Sequence, residues 1–217
     1  MARITWDSTS NRYYETGLDR GVLFVGHGPG VPWTGLVSIN EEPNGGSPRP
    51  YYIDGYKYLN ISSSEEYEAT LSSYGHPQEF SECNGLSEIH NGLFASGQPR
   101  SPFSMSYRTL IGNDTEGQKK GYKIHLVYNA LASPSSRKYE TVSSDSTSSF
   151  YEWRITTKAT PVQGKRHTAH FTIDTRYTPK DLLTAVESVI YGSQEAQPRI
   201  PSVPELVAMF KDWGNNG

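Results

Sequence analysis

"SYRTLIGNDTEGQKKGYKIHLVYNALASPSS", residues 106–136, contains two runs of alternating hydrophobicity joined by a polar stretch. In and just before the first run, Met105, Tyr107, Thr109 and Ile111 share one parity. In the second, Tyr122, Ile124, Leu126 and Tyr128 do, with Lys123, His125 and Asn129 opposite. Successive strand side chains point to opposite faces, so each set marks one face of a sheet. The pattern predicts a β-hairpin with one buried face. Its linker "GNDTEGQKKG" carries charges of both signs and is expected to project into solvent or onto a partner.

The same alternation recurs outward from this hairpin. "EEYEATLSSY" (65–74) sets Tyr67, Ala69 and Leu71 inward against Glu66, Glu68, Thr70 and Ser72. "SFYEWRITTK" (149–158) sets Tyr151, Trp153 and Ile155 against Glu152, Arg154 and Thr156, and "HTAHFTIDT" (167–175) sets Ala169, Phe171 and Ile173 against His170, Thr172 and Asp174. "GVLFVG", "GLVSINE" and "RPYYIDGYKYLNIS" add shorter strands, the last a hairpin turning at Asp54-Gly55. Eight to eleven strands follow, which suits a sandwich or barrel.

The period changes only near the C-terminus. Thr178, Pro179 and Asp181 read as an N-cap, an N1 proline and an acidic first turn for a helix that Gly192 stops, with Leu182, Leu183, Val186, Val189 and Ile190 as its stripe. Ser202-Val203-Pro204-Glu205 is a capping box opening a second helix. The expected organisation is one domain over residues 1–217, with a flexible arm over about 1–20 and a helical part over about 178–214.

Composition agrees with a β-rich, loop-rich fold. The 217 residues include 20 Gly and 14 Pro, and 15 Tyr and 4 Trp against 3 Met, a set suited to pleated, half-wet surfaces. A net charge of −3 without a basic run argues against a surface that grips duplex nucleic acid. Cys83 stands alone, so an internal disulfide or a cysteine-built zinc site is excluded, which fits folding in a reducing cytoplasm. Neither an export signal nor a membrane span is expected.

Fragments that imitate functional motifs fail on their surroundings. "GHGPG" resembles an oxyanion loop but no G-x-S-x-G elbow accompanies it. His167 and His170 lie three apart on a strand and so face opposite ways. Glu65, Glu66 and Glu68 read as a solvated acidic edge rather than paired catalytic carboxylates. "NEEPNGGSPRP" lacks the Lys-Ser/Thr of a phosphate loop and reads as a mobile loop. Tyr51, Tyr52, Tyr56 and Tyr58 suit core or interface packing better than a sugar platform. No enzyme, cofactor or metal is expected.

"GVPWTGLVSINE", "YYIDGYKYLNISSSEEYEATLSSYGHPQEFSECNG", "FSMSYRTLIGNDTEGQKKGYKIHLVYNALASPSS", "FYEWRITTKATP" and "IDTRYTPKDLLTAVESVIYGSQEAQPRIPSVPELVAMF" together resemble the major tail subunit family of long, non-contractile-tailed bacteriophages. The resemblance runs from about Gly21 to Phe210, in order, although "SSYGHPQEF" is more polar than the family's aromatic-rich version. It implies a tail-tube fold: a mainly β sandwich or half-barrel with a flanking helix and a C-terminal helix. Six copies would form a ring, and rings would stack around a tape-measure protein. Terminator and distal tail proteins would close the ends, and phage DNA would pass through the lumen without specific binding.

On that resemblance, Glu66, Glu68, Thr70 and Ser72 are expected to face the lumen. Glu41, Glu42, Asn44, Gly45, Gly46 and Ser47 are expected in a ring-stacking loop, and Asn113, Asp114, Glu116, Lys119 and Lys120 in an inter-subunit loop. A neutral-to-acidic, Ser/Thr-rich wall is physically suited to a DNA conduit, because each phosphate neutralised by Lys or Arg adds binding and friction. The competing expectation is a carbohydrate- or receptor-binding β-sandwich module of a tail.

Overall fold

The computed structural model describes residues 4, 6, 12–115, 117–137, 139, 141 and 150–214. In chain order these form β1 (Tyr13–Val25), β2 (Val31–Pro32), β3 (Leu36–Glu41), β4 (Asn44–Gly45), β5 (Pro48–Ile53), β6 (Tyr56–Ser62), β7 (Glu65–Glu66) and β8 (Glu68–Ser73). A one-turn helix α1 (Phe80–Cys83) precedes β9 (Leu86–His90), β10 (Leu93–Ser96), β11 (Phe103–Asn113), β12 (Gly117–Ala132), β13 (Tyr151–Thr157) and β14 (His170–Asp174). Helices α2 (Lys180–Tyr191) and α3 (Val203–Gly214) follow. The fold is mainly β, 48% strand and 14% helix.

One antiparallel sheet dominates, in the order β2-β1-β11-β12-β13-β8-β3, with β14 also on β12. On its edge away from β11, strand β12 serves two partners: Lys123–Val127 pairs with β14, and Ala130–Ala132 with β13. Between the two stretches Asn129 takes φ +50°, a left-handed conformation that Asn tolerates, and its Nδ2 donates to Thr160 Oγ1 at 3.0 Å. The bend lets the sheet curl, and β1 bends twice more at bulges around Gly17 (φ +74°) and Arg20 (φ +49°). Strand β3 returns beside β1, where Leu36 and Trp33 press on Gly21. The result is a half-barrel.

Its interior is a core of Leu23, Trp33, Leu71, Met105, Trp153 and Ile155 with their neighbours. Helix α1 plugs it with Phe80 and Cys83, and the Phe80 ring lies 5.1 Å from Trp153 and 4.7 Å from Trp33. Both indoles keep their N–H groups satisfied, Trp153 by Asn84 Oδ1 at 2.9 Å and Trp33 by Ser73 Oγ at 3.1 Å. A second core lies on the opposite face of β1, β12 and β14, where Phe24, Ile124, Leu126 and Ile173 meet Leu182, Val186 and Ile190 of α2 and Leu206 of α3.

Several expectations are corrected. The 106–136 hairpin exists, but both of its faces are buried. Met105 pairs with Val127 and Tyr107 with His125, turned into the half-barrel, whereas Ile124, Leu126 and Tyr128 lie under the helices. Its strands also extend into the expected loop, with Asn113 opposite Gly117. Strand β1 starts at Tyr13, inside the arm expected over 1–20. Thr178 does not cap α2, since its hydroxyl donates to Asp174 O. The capping box does form: Glu205 N–H donates to Ser202 Oγ at 3.3 Å and Ser202 N–H to Glu205 Oε2 at 3.2 Å. No helix among the described residues is long and apolar enough to cross a membrane.

Candidate functional site

Strands β3 and β8 leave the half-barrel together and continue as a ribbon through β4–β7 and β5–β6. The ribbon closes at Asp54 (φ +51°) and Gly55 (φ +82°), the two positive-φ positions of a tight hairpin turn. Residues Glu41–Ser47 therefore form the base of a projecting β-arm, where the sequence suggested a loop. Glu42 N–H donates to Glu68 O at 2.8 Å, Asn44 Nδ2 to Glu68 Oε1 at 2.9 Å, and Gly46 N–H to Ser63 Oγ at 3.1 Å. Gly45 pairs with Glu65, and Ser47 is exposed.

Every residue of β5 and β6 is exposed. Cross-strand partners share a face, so Arg49/Ile61, Tyr51/Leu59 and Ile53/Tyr56 put five large hydrophobic side chains on one side of the arm. A two-stranded ribbon of this kind is marginal alone in water, and among the described residues nothing covers its apolar side.

The four residues expected in a lumen separate. Glu68, Thr70 and Ser72 do lie on the face of β8 away from the core, as alternation requires, but Glu68 and Ser72 are buried by their neighbours. Arg154 Nη2 donates to Glu68 Oε2 at 2.6 Å, and that bond, with the one from Asn44, holds the Glu68 carboxyl below the usual carboxylate range. Ser72 Oγ donates to Glu152 Oε1 at 3.4 Å, Thr70 is half-buried, and Glu66 is exposed. Of the expected inter-subunit loop, Asn113 is buried and accepts from Thr115 N–H, Asp114 pairs with Arg12 at 3.5 Å, Lys120 is half-buried, and Lys119 belongs to β12. Glu116 lies outside the described residues.

At the mouth of the half-barrel, between β1 and β3, a cavity of about 590 Å³ exposes a polar cluster that alternation alone did not reveal. His125 on β12 and His170 on β14 meet with Nδ1 and Nε2 3.0 Å apart. Tyr107 stacks on His125 at 4.5 Å and 4°, and Tyr67 lies over His170 at 4.5 Å. Thr109 Oγ1 donates to Glu15 Oε1 at 2.5 Å, so it accepts from His125 Nε2 at 3.0 Å. Tyr107 likewise donates to Glu41 Oε1 at 2.5 Å and accepts from Tyr67 at 3.0 Å.

Burial, with His170 adjacent, lowers His125 to about 4, and burial lowers His170 too, which favours the neutral imidazole in both. Burial pushes the Tyr67 and Tyr107 hydroxyls far up. Burial would raise Glu15, but bonds from Lys123 and Thr109 outweigh it and keep that carboxyl low. Cys83 is buried and pushed up to about 12, chiefly by burial, which makes it a poor nucleophile. His167, weighed above with His170, is exposed, and it is His125 that His170 meets. No protein-family model matches the sequence, and no curated protein matches it.

Proposed function

We propose that this chain is a virion structural protein that polymerises as stacked, hexameric rings into a bacteriophage tail tube, the conduit for viral DNA. The projecting arm carries the proposal. It extends an exposed apolar side out of a core that is already complete, an arrangement stable in water once a second copy covers it. A heterologous contact that closes at a fixed rotation forms a ring, and an arm reaching out of the ring stacks the next one.

The outward face of β3, β8 and β13 suits the wall of such a tube. Ser38, Asn40, Thr70 and Ser72 are uncharged, and Glu68 and Arg154 neutralise one another. A wall of this kind offers a passing polyanion few free cations to hold phosphate. In this role the tape-measure protein occupies the lumen during assembly, terminator and distal tail proteins cap the ends, and the site of action is the virion after synthesis in the host cytoplasm.

Sedimentation over a range of protein concentrations tests the proposal. Growth from a monomer to high-mass polymers above a critical concentration is expected. A monomer at every concentration would overturn it and favour a receptor-binding tail module instead.

A further inference from the structure

We propose that Glu41, His125 and His170 form a three-ligand site for a borderline divalent transition-metal ion such as Zn²⁺. Their ligating atoms, contributed by β3, β12 and β14, all lie within 4.8 Å of one another. Ligands about 2.0–2.2 Å from one ion in a tetrahedral or octahedral shell stand about 2.9–3.5 Å apart. His125 Nδ1 is 3.0 Å from His170 Nε2 and 3.7 Å from Glu41 Oε1. Those two edges need shifts of at most a few tenths of an ångström, and the third, between His170 and Glu41, lies within 4.8 Å and closes by a swing of the partly exposed Glu41 carboxylate.

The surrounding bonds orient the ligands as metal sites require. Because Thr109 Oγ1 spends its hydrogen on Glu15, His125 must donate from Nε2, which leaves the Nδ1 lone pair aimed into the cluster. A carboxylate–threonine–histidine relay therefore fixes the tautomer from behind. Glu41 is held from the other side by Tyr107. His170 donates Nε2–H to His125 when no ion is present, and moving that proton to Nδ1 frees Nε2 for coordination without a net change of charge.

Stacking of Tyr107 on His125, and the tilted packing of Tyr67 against His170 with centroids 4.5 Å apart, stop the rings from turning away. The cavity leaves room for water at a remaining coordination position. Two imidazoles and one carboxylate favour Zn²⁺, Co²⁺ or Ni²⁺ over Mg²⁺ or Ca²⁺, which prefer all-oxygen shells. Glu41 is the last residue of β3, so the ion would tie the root of the arm to the strands of the half-barrel. The inference stands on this cluster alone and does not depend on the proposed tube.

The test is titration of EDTA-treated protein with CoCl₂ and ZnCl₂, followed by visible absorption, calorimetry and thermal melting. One equivalent should bind, with a Co²⁺ d–d band that Zn²⁺ abolishes and a raised melting midpoint. His170→Gln and Glu41→Gln should each weaken binding at least tenfold. Thr109→Val, which touches no ligand atom, should weaken it about 10- to 100-fold by releasing His125 Nε2. Glu41 is partly exposed, so its variant keeps the test decisive should His170→Gln fail to fold. Absence of one-to-one Zn²⁺ or Co²⁺ binding would overturn the proposal. So would binding that Glu41→Gln leaves unchanged, or Mg²⁺ displacing Co²⁺ at equal concentration.

Discussion

Replacing Tyr51 and Ile61 by Ser should abolish assembly while leaving the monomer intact. The two residues share the apolar side of the arm and are 52% and 53% exposed. Taking roughly 200 Å² for such a side chain, the pair presents about 210 Å² to water. At about 25 cal/mol/Å² its burial against another copy contributes ~5 kcal/mol gross. Ordering and association costs consume much of that, but even a third, ~1.7 kcal/mol, changes an association constant more than tenfold, and a polymer repeats the contact in every subunit. Neither residue belongs to either core cluster, so the monomer should melt within about 2 °C of the parent. Sedimentation gives the critical concentration and calorimetry the melt. An unchanged critical concentration in a variant that melts normally would refute the assignment of the arm as the polymerising surface.

Trp153→Phe removes the donor to Asn84 Oδ1, and since Asn84 Nδ2 already lacks a partner, the buried amide is left with neither side-chain bond; denaturant titration should show a loss of about 1–3 kcal/mol. At Gly30 an added Cβ would lie 2.5 Å from the Phe24 ring and 2.9 Å from Val22, so Gly30→Ala should cost about 1–3 kcal/mol by overpacking, read in the same titration. Arg154→Ala probes pH dependence. Glu68 is held low in the folded state, so the stability it contributes is present above its unfolded pKa and lost as pH falls through the lower folded value. The stability gap between wild type and Arg154→Ala should accordingly be widest near neutrality and close on acidification, and a gap constant from pH 7 to about 3 would contradict the pairing.

Alternation made the strands of the half-barrel legible because period two survives whenever the two faces differ. It failed to assign faces in β12, where Ile124 and Leu126 meet the helices while His125 and Val127 turn into the half-barrel, because a strand covered on both sides has no solvent face to mark. The hairpin at Asp54-Gly55 was legible from turn chemistry, and the Asn91-Gly92 turn joining β9 and β10 carried the same signal unread. Helix α1, a single turn, is too short to show a period. The mouth cluster was invisible because Glu41, His125 and His170 lie 45 to 129 positions apart and meet only through strand register. The polar face of β8 was found correctly, but alternation cannot say that Arg154 on the next strand covers Glu68.

Electron microscopy of the purified, concentrated protein tests the central claim most directly. Hollow tubes built of stacked sixfold rings, with the arm of one ring lying on the next, are the expected images. Discrete particles of single-chain size under conditions where the protein remains folded would contradict the account.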